Sequence, residues 1–103
     1  MPADLVERIE RAYATGEAEE SLIHDLLDAL ESGQARAAES DPSSPTGWRV
    51  NAWVKQGILL GFRLGKLTPM RWGGVEFLDR DLYPPRAFTL ADGVRLVPGG
   101  TSI

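Results

Sequence analysis

Between Asn51 and Lys66 the chain reads "AWVKQGILLGFRLG", apolar nearly all round a helical wheel except at Lys55, Gln56 and Arg63. A helix without a polar face belongs at the centre of a fold. Gly57, Gly61 and Gly65 recur in it every four residues. Each glycine inside a helix costs about 1 kcal/mol relative to alanine. Close approach by another element along that side is the compensating reason, and Gly65 also suits the helix stop. Asn51 has the chemistry of an N-cap. The longest apolar run, residues 57–62, is bracketed by Lys55 and Arg63. It is far short of the roughly 20 residues that cross a bilayer.

A central helix needs partners, and two precede it. Leu5, Ile9 and Tyr13, with Val6 and Ala12 beside them, share one helical face. Pro2 and Asp4 suit the first turn, and Gly16 ends the helix. A second helix is expected from about Ala18 to Ser32. Its apolar side is Leu22, Ile23, Leu26, Leu27 and Leu30, and its wet side is Glu19, Glu20, Asp25, Asp28 and Glu31. Gly33 is placed as its left-handed stop. His24 sits between these sides with no ligand or catalytic constellation around it, and reads as a surface or boundary residue.

Residues 35–39 alternate as a short strand, "SDPSSPTG" (40–47) is a turn by every local rule, and Trp48 and Val50 alternate beyond it. The pattern predicts a β-hairpin with an eight-residue loop. The Trp residues of "WRVNAWVKQ" are read as anchors of a small core. After Lys66, Pro69, Gly73, Gly74, Pro84 and Pro85 interrupt the helical period. Short strands and loops are expected there, with Trp72, Phe77, Leu78 and Tyr83 packing on the helices. A last strand is expected over Val94–Val97, then a turn at Pro98-Gly99-Gly100 and a new extended segment at Thr101–Ile103.

The chain has 103 residues, enough for one small domain. A net charge of -4 argues against nucleic-acid binding, which needs a basic footprint. The N-terminus "MPADLVERIER" is too acidic for a signal peptide. Without cysteine there is no disulfide framework and no thiolate metal site, which fits a reducing cytosol. The chain is read as soluble and cytoplasmic. The residues alone show no glycine-rich phosphate loop, no Ser/His/Asp set and no metal spacing.

Three stretches go further. "LESGQARAAE" (30–39), "WRVNAWVKQGILLGFRL" (48–64) and "GVRLVPGG" (93–100) stand in order and at about the right spacing. Together they resemble the N-terminal domain of the tetrahydrodipicolinate N-succinyltransferase family. The middle stretch is the most specific: Trp48, Trp53, Lys55, then Leu59-Leu60-Gly61-Phe62-Arg63. The resemblance departs at the loop 40–47, which is longer than the family's.

The resemblance implies an α+β fold, mainly helical, of three helices, a β-hairpin and a C-terminal strand. Residues 1–92 would be the helical domain. Residues 93–103 would lead towards a left-handed β-helix domain that this chain does not include. The family enzyme is a homotrimer built through that β-helix, with succinyl-CoA as co-substrate along it, so no cofactor is expected in this chain. The family's "RxVP" arginine binds the small dicarboxylate substrate and matches Arg95, whose guanidinium fork suits a carboxylate. No catalytic residue is carried over. Lys55 and Arg63 match family positions, and Arg63 is simply explained as offsetting a helix dipole. Two readings stand: the N-terminal part of an acyltransferase of lysine and diaminopimelate biosynthesis, inactive alone, or a free-standing binding or interaction domain.

Overall fold

The computed structural model describes residues 3–72 and 74–95. Helix α1 (Ala3–Thr15) and helix α2 (Glu20–Ser32) pack on helix α3 (Ala52–Leu64). Strands β1 (Ala38–Ser40) and β2 (Trp48–Val50) form one antiparallel hairpin; β3 (Leu67–Trp72) and β4 (Val75–Arg80) form another. A 3-10 turn, Leu90–Asp92, closes the described chain. The fold is α+β, as expected, and no β-helix is present among the described residues. Pro2, Leu96 and Val97, the turn at residues 98–100 and the segment 101–103 lie outside the described residues.

The core sits where the three helices meet. Leu5, Ile9 and Ala12 of α1 are buried, and so are Leu22, Ile23, Leu26 and Ala29 of α2. Tyr13, expected on the inner face, is partly exposed, and Ala12 takes the buried place one residue earlier. Helix α2 begins at Glu20 rather than Ala18. It ends as expected at Gly33, whose φ of 84° is left-handed and whose N–H donates to Leu30 O at 3.3 Å. Arg8 pairs with Asp25 across the two helices at 3.0 Å. The pair is half-exposed, so it contributes at most about 1 kcal/mol.

The glycine side of α3 is closely approached by other elements. A Cβ on Gly57 would lie 2.5 Å from Leu26 Cδ2 and 3.1 Å from Ile9 Cδ1. Both preceding helices therefore reach the α3 backbone there. A Cβ on Gly61 would collide with the Tyr83 hydroxyl. Tyr83 donates from that hydroxyl to Ile58 O at 2.8 Å, and its ring meets Phe62 edge-on at 5.0 Å. Burial pushes the Tyr83 pKa up from its ordinary value. The expected close approach is present, but at Gly61 the partner is a residue beyond β4, not the first hairpin or α1–α2. The opposite face of α3 is wetter than its composition suggests: Lys55, Leu59, Phe62 and Arg63 are exposed.

Asn51 does not cap α3 with its side chain. It is buried, and its Nδ2 donates to Arg36 O at 2.7 Å while its backbone N–H donates to Ala37 O at 2.8 Å. The residue ties the start of the hairpin to the start of the helix. The segment expected as a strand over 35–39 pairs only from Ala38, because Ala35 turns into the core and bonds back to Ala29 O. Ser40 pairs with Trp48, so the connecting loop is residues 41–47. Trp53 is a core anchor, but Trp48 is 58% exposed on the outer face of the short hairpin.

The region after Lys66 is one regular hairpin, with register Leu67↔Arg80 to Trp72↔Val75. It projects from the helices. Leu78, expected to pack on them, is 70% exposed, and Phe77 is half-buried. The Trp72 side chain lies outside what the structure describes. Leu82 and Tyr83, immediately after the hairpin, return to the core.

Gly61→Ala gains about 1 kcal/mol of helix propensity. It also drives the Tyr83 ring off α3, and overpacking costs about 1–3 kcal/mol. A lowered urea midpoint is expected in the wild-type background, and an unchanged or raised one when Tyr83→Ala is already present. Additive effects of the two substitutions would show that Tyr83 is not the obstacle.

Candidate functional site

The chain reaches Arg95 through a series of local anchors. Gly65 O accepts from Arg80 Nη1 at 3.0 Å, and the Lys66 N–H donates to Asp81 Oδ1 at 2.9 Å. These two bonds close the base of the β3–β4 hairpin. Leu82 and Tyr83 then fasten the chain to the core. Pro84 and Pro85 follow, and their locked φ angles make the next step stiff. Arg86 comes next, exposed, with its guanidinium carbon 5.1 Å from the Phe88 ring centroid.

Thr89 and Asp92 build the last turn. The Thr89 N–H donates to Asp92 Oδ2 at 2.7 Å, and the Thr89 hydroxyl reaches the same oxygen at 3.3 Å. The Asp92 N–H returns a bond to Thr89 O at 3.1 Å. The Thr89 N–H holds the Asp92 carboxyl below its usual range, with smaller help from the Thr89 hydroxyl and the Arg86 guanidinium. Gly93, left-handed, turns the chain out, and Val94 and Arg95 follow in no regular structure. The strand expected from Val94 therefore does not include its first two residues, and Leu96 and Val97 lie outside the described residues. Here the capped turn, not a strand ladder, fixes the backbone before Arg95.

Arg95 is exposed and has no ion-pair partner among the described residues. Lys55 and Arg63 are exposed on α3, and eight residues apart they stand about 12 Å apart along its axis at 1.5 Å per residue. No hydrogen bond or ion pair joins either to Arg95 among the described residues. Arg63 lies in the last turn of α3, where its charge offsets the helix dipole. His24 is exposed on α2, as expected. Among the described residues no group of three or more His, Asp or Glu side chains is placed to hold a metal ion. A shallow groove between α1 and α2 carries Arg8, Arg11, Thr15 and Ser21, but its arginines are already paired with Asp4, Asp25 and Glu7.

Arg86, Thr89 and Asp92 are not among the residues that the sequence motifs single out. A signal was present: Thr89-Leu90-Ala91-Asp92 has the hydroxyl-x-x-acid spacing of a capping box. A capping box normally opens an α-helix, whereas here only three residues of 3-10 helix follow the cap.

The family described as "Tetrahydrodipicolinate N-succinyltransferase N-terminal" matches residues 4–64. Three relatives carry the name 2,3,4,5-tetrahydropyridine-2,6-dicarboxylate N-succinyltransferase. The one from Methylorubrum extorquens is 36% identical over 94% of this chain and 39% of its own length. That from Granulibacter bethesdensis is 40% identical over 84% and 29%. That from Xylella fastidiosa is 35% identical over 96% and 40%. The chain thus spans at most about two fifths of the length of these relatives.

The Asp92 pKa lies below the ordinary aspartate value of 3.8 when folded. A lowered pKa contributes stability above the unfolded value that is lost as pH falls through the folded one. The Thr89 amide proton resonance should therefore titrate with an inflection below pH 3.8, and Asp92→Asn should abolish it. An inflection at or above that value would mean that the turn is not capped in solution.

Proposed function

Because this chain belongs to the tetrahydrodipicolinate N-succinyltransferase family and carries its N-terminal domain, we propose that it forms the amino-acid side of an acyltransferase site. The complete protein transfers a succinyl group from succinyl-CoA to the amine of ring-opened tetrahydrodipicolinate. The amine nitrogen attacks the thioester carbonyl carbon. The new C–N bond forms, the C–S bond breaks, and CoA leaves as the thiol with the proton lost by nitrogen. The product is N-succinyl-2-amino-6-ketopimelate, in lysine and diaminopimelate biosynthesis.

In this reading Arg95 holds a substrate carboxylate. What supports it is one observation: an exposed guanidinium, without an ionic partner among the described residues, stands just after a capped turn. A bidentate fork on a carboxylate gives orientation as well as energy. Residues 1–92 serve as the helical domain and residues 93–103 as the passage to a left-handed β-helix. That β-helix binds the CoA donor and builds a homotrimer, and the setting is the cytoplasm. No cofactor is assigned to this chain.

Two measurements test the reading. The purified 103-residue chain, given succinyl-CoA and the amino-acid substrate, should release no CoA above background; turnover by it alone would remove the division of labour. In the complete gene product, Arg95→Ala removes one charge-assisted contact of roughly 1.5–3 kcal/mol. That corresponds to about a 10- to 150-fold rise in KM for the amino-acid substrate. The KM for succinyl-CoA should stay unchanged, and Arg95→Lys should recover only part of the loss. An unaltered kcat/KM for the amino-acid substrate would return Arg95 to the ordinary surface arginines.

A further inference from the structure

The arginines of this chain fall into three groups. Arg8, Arg11, Arg49 and Arg71 are ion-paired with Asp4 and Asp25, Glu7, Glu39 and Glu76. Arg36 and Arg80 donate to backbone carbonyls, the first at the end of α2 and the second at the base of β3–β4. Arg63, Arg86 and Arg95 have neither kind of partner among the described residues. Arg63 has its explanation in the helix dipole. The other two flank one turn.

Their placement is built. Pro84 and Pro85 stiffen the approach to Arg86, and Phe88 supports its guanidinium from one side. Thr89 and Asp92 close a turn that stands between Arg86 and Arg95 in the chain. Asp92 lies in the turn that follows Arg86 in the chain. Yet Arg86 forms no ion pair with it, and the Asp92 carboxylate is engaged by Thr89. An exposed arginine held over an aromatic ring, with its fork uncommitted, is placed to receive an anion.

A substrate with two carboxylates presents two negative charges, and one guanidinium answers only one. We infer that Arg86 is the second carboxylate-binding residue, so that Arg86 and Arg95, on either side of the Thr89–Asp92 turn, take the two ends of one small dicarboxylate. The inference rests on the reading of Arg95 given above. It makes this short segment the determinant of selectivity for diacids over monoacids.

The test compares two competitive inhibitors of the complete gene product, pyridine-2,6-dicarboxylate and pyridine-2-carboxylate. The wild type should prefer the diacid by about 10-fold or more, the value of one added charge-assisted contact. Arg86→Gln should abolish that preference by weakening the diacid alone, with the KM for succinyl-CoA unchanged. Arg86→Lys should keep part of it. A preference that survives Arg86→Gln, while Arg95→Ala weakens both inhibitors, overturns this inference and leaves the Arg95 reading standing. Inhibition indifferent to Arg95→Ala, or a complete wild-type product without turnover, removes both. A loss in Arg86→Gln that Arg86→Lys does not restore and that extends to the KM for succinyl-CoA marks a structural role, and also overturns it.

Discussion

The absence of side chains at Gly57 and Gly61 governs how this molecule is assembled. At Gly57 the α3 backbone is open to Ile9 and Leu26 together, so α1 and α2 converge on one point instead of competing for it. One turn later Gly61 admits Tyr83, whose hydroxyl closes on the helix backbone. Two glycines that weaken α3 as a helix thereby let it serve as the surface on which the rest is placed. Dispersion contacts with the close-packed neighbours offset the local loss.

Tyr83 carries this constraint outward. It is the last firm contact before the chain departs towards Arg86 and Arg95, so the direction of departure is set inside the core. Beyond it the chain relies on short-range devices: two prolines, an aromatic support and a capped turn. Such devices are independent of the core's packing. The local geometry around Arg86 and the turn is thus set by contacts among residues 84–93 themselves.

The helices were legible because burial imposes a period. Leu22, Ile23 and Leu26 face inward, Gly33 stops α2, and the glycine spacing in α3 announced a close neighbour. What escaped was what lies across space. Nothing local says that Asn51 spends its amide on Arg36 O instead of a cap, or that Tyr83, far along the chain, is the partner of Gly61. Large apolar side chains also misled: Trp48 and Leu78 have core-like chemistry, but they stand largely exposed on two-stranded hairpins. The role proposed for Arg95 rests on resemblance alone. Arg86 was within reach of a charge census, but only the structure shows which arginines are already paired.

The loop of residues 41–47 satisfies itself. The Asp41 N–H donates to Gly47 O at 2.8 Å, Asp41 Oδ1 accepts from both the Ser43 N–H and hydroxyl, and the Ser44 and Gly47 amides bond within the loop. Its side-chain hydrogen bonds run to its own members and to Trp48 at its edge. Change in its length is thus uncoupled from helix packing, and the hairpin ends remain held by Asn51 and the Glu39–Arg49 pair. This makes the loop a natural point of entry for foreign sequence: a reporter peptide or fluorophore attached there would ride on the domain without disturbing its helix packing.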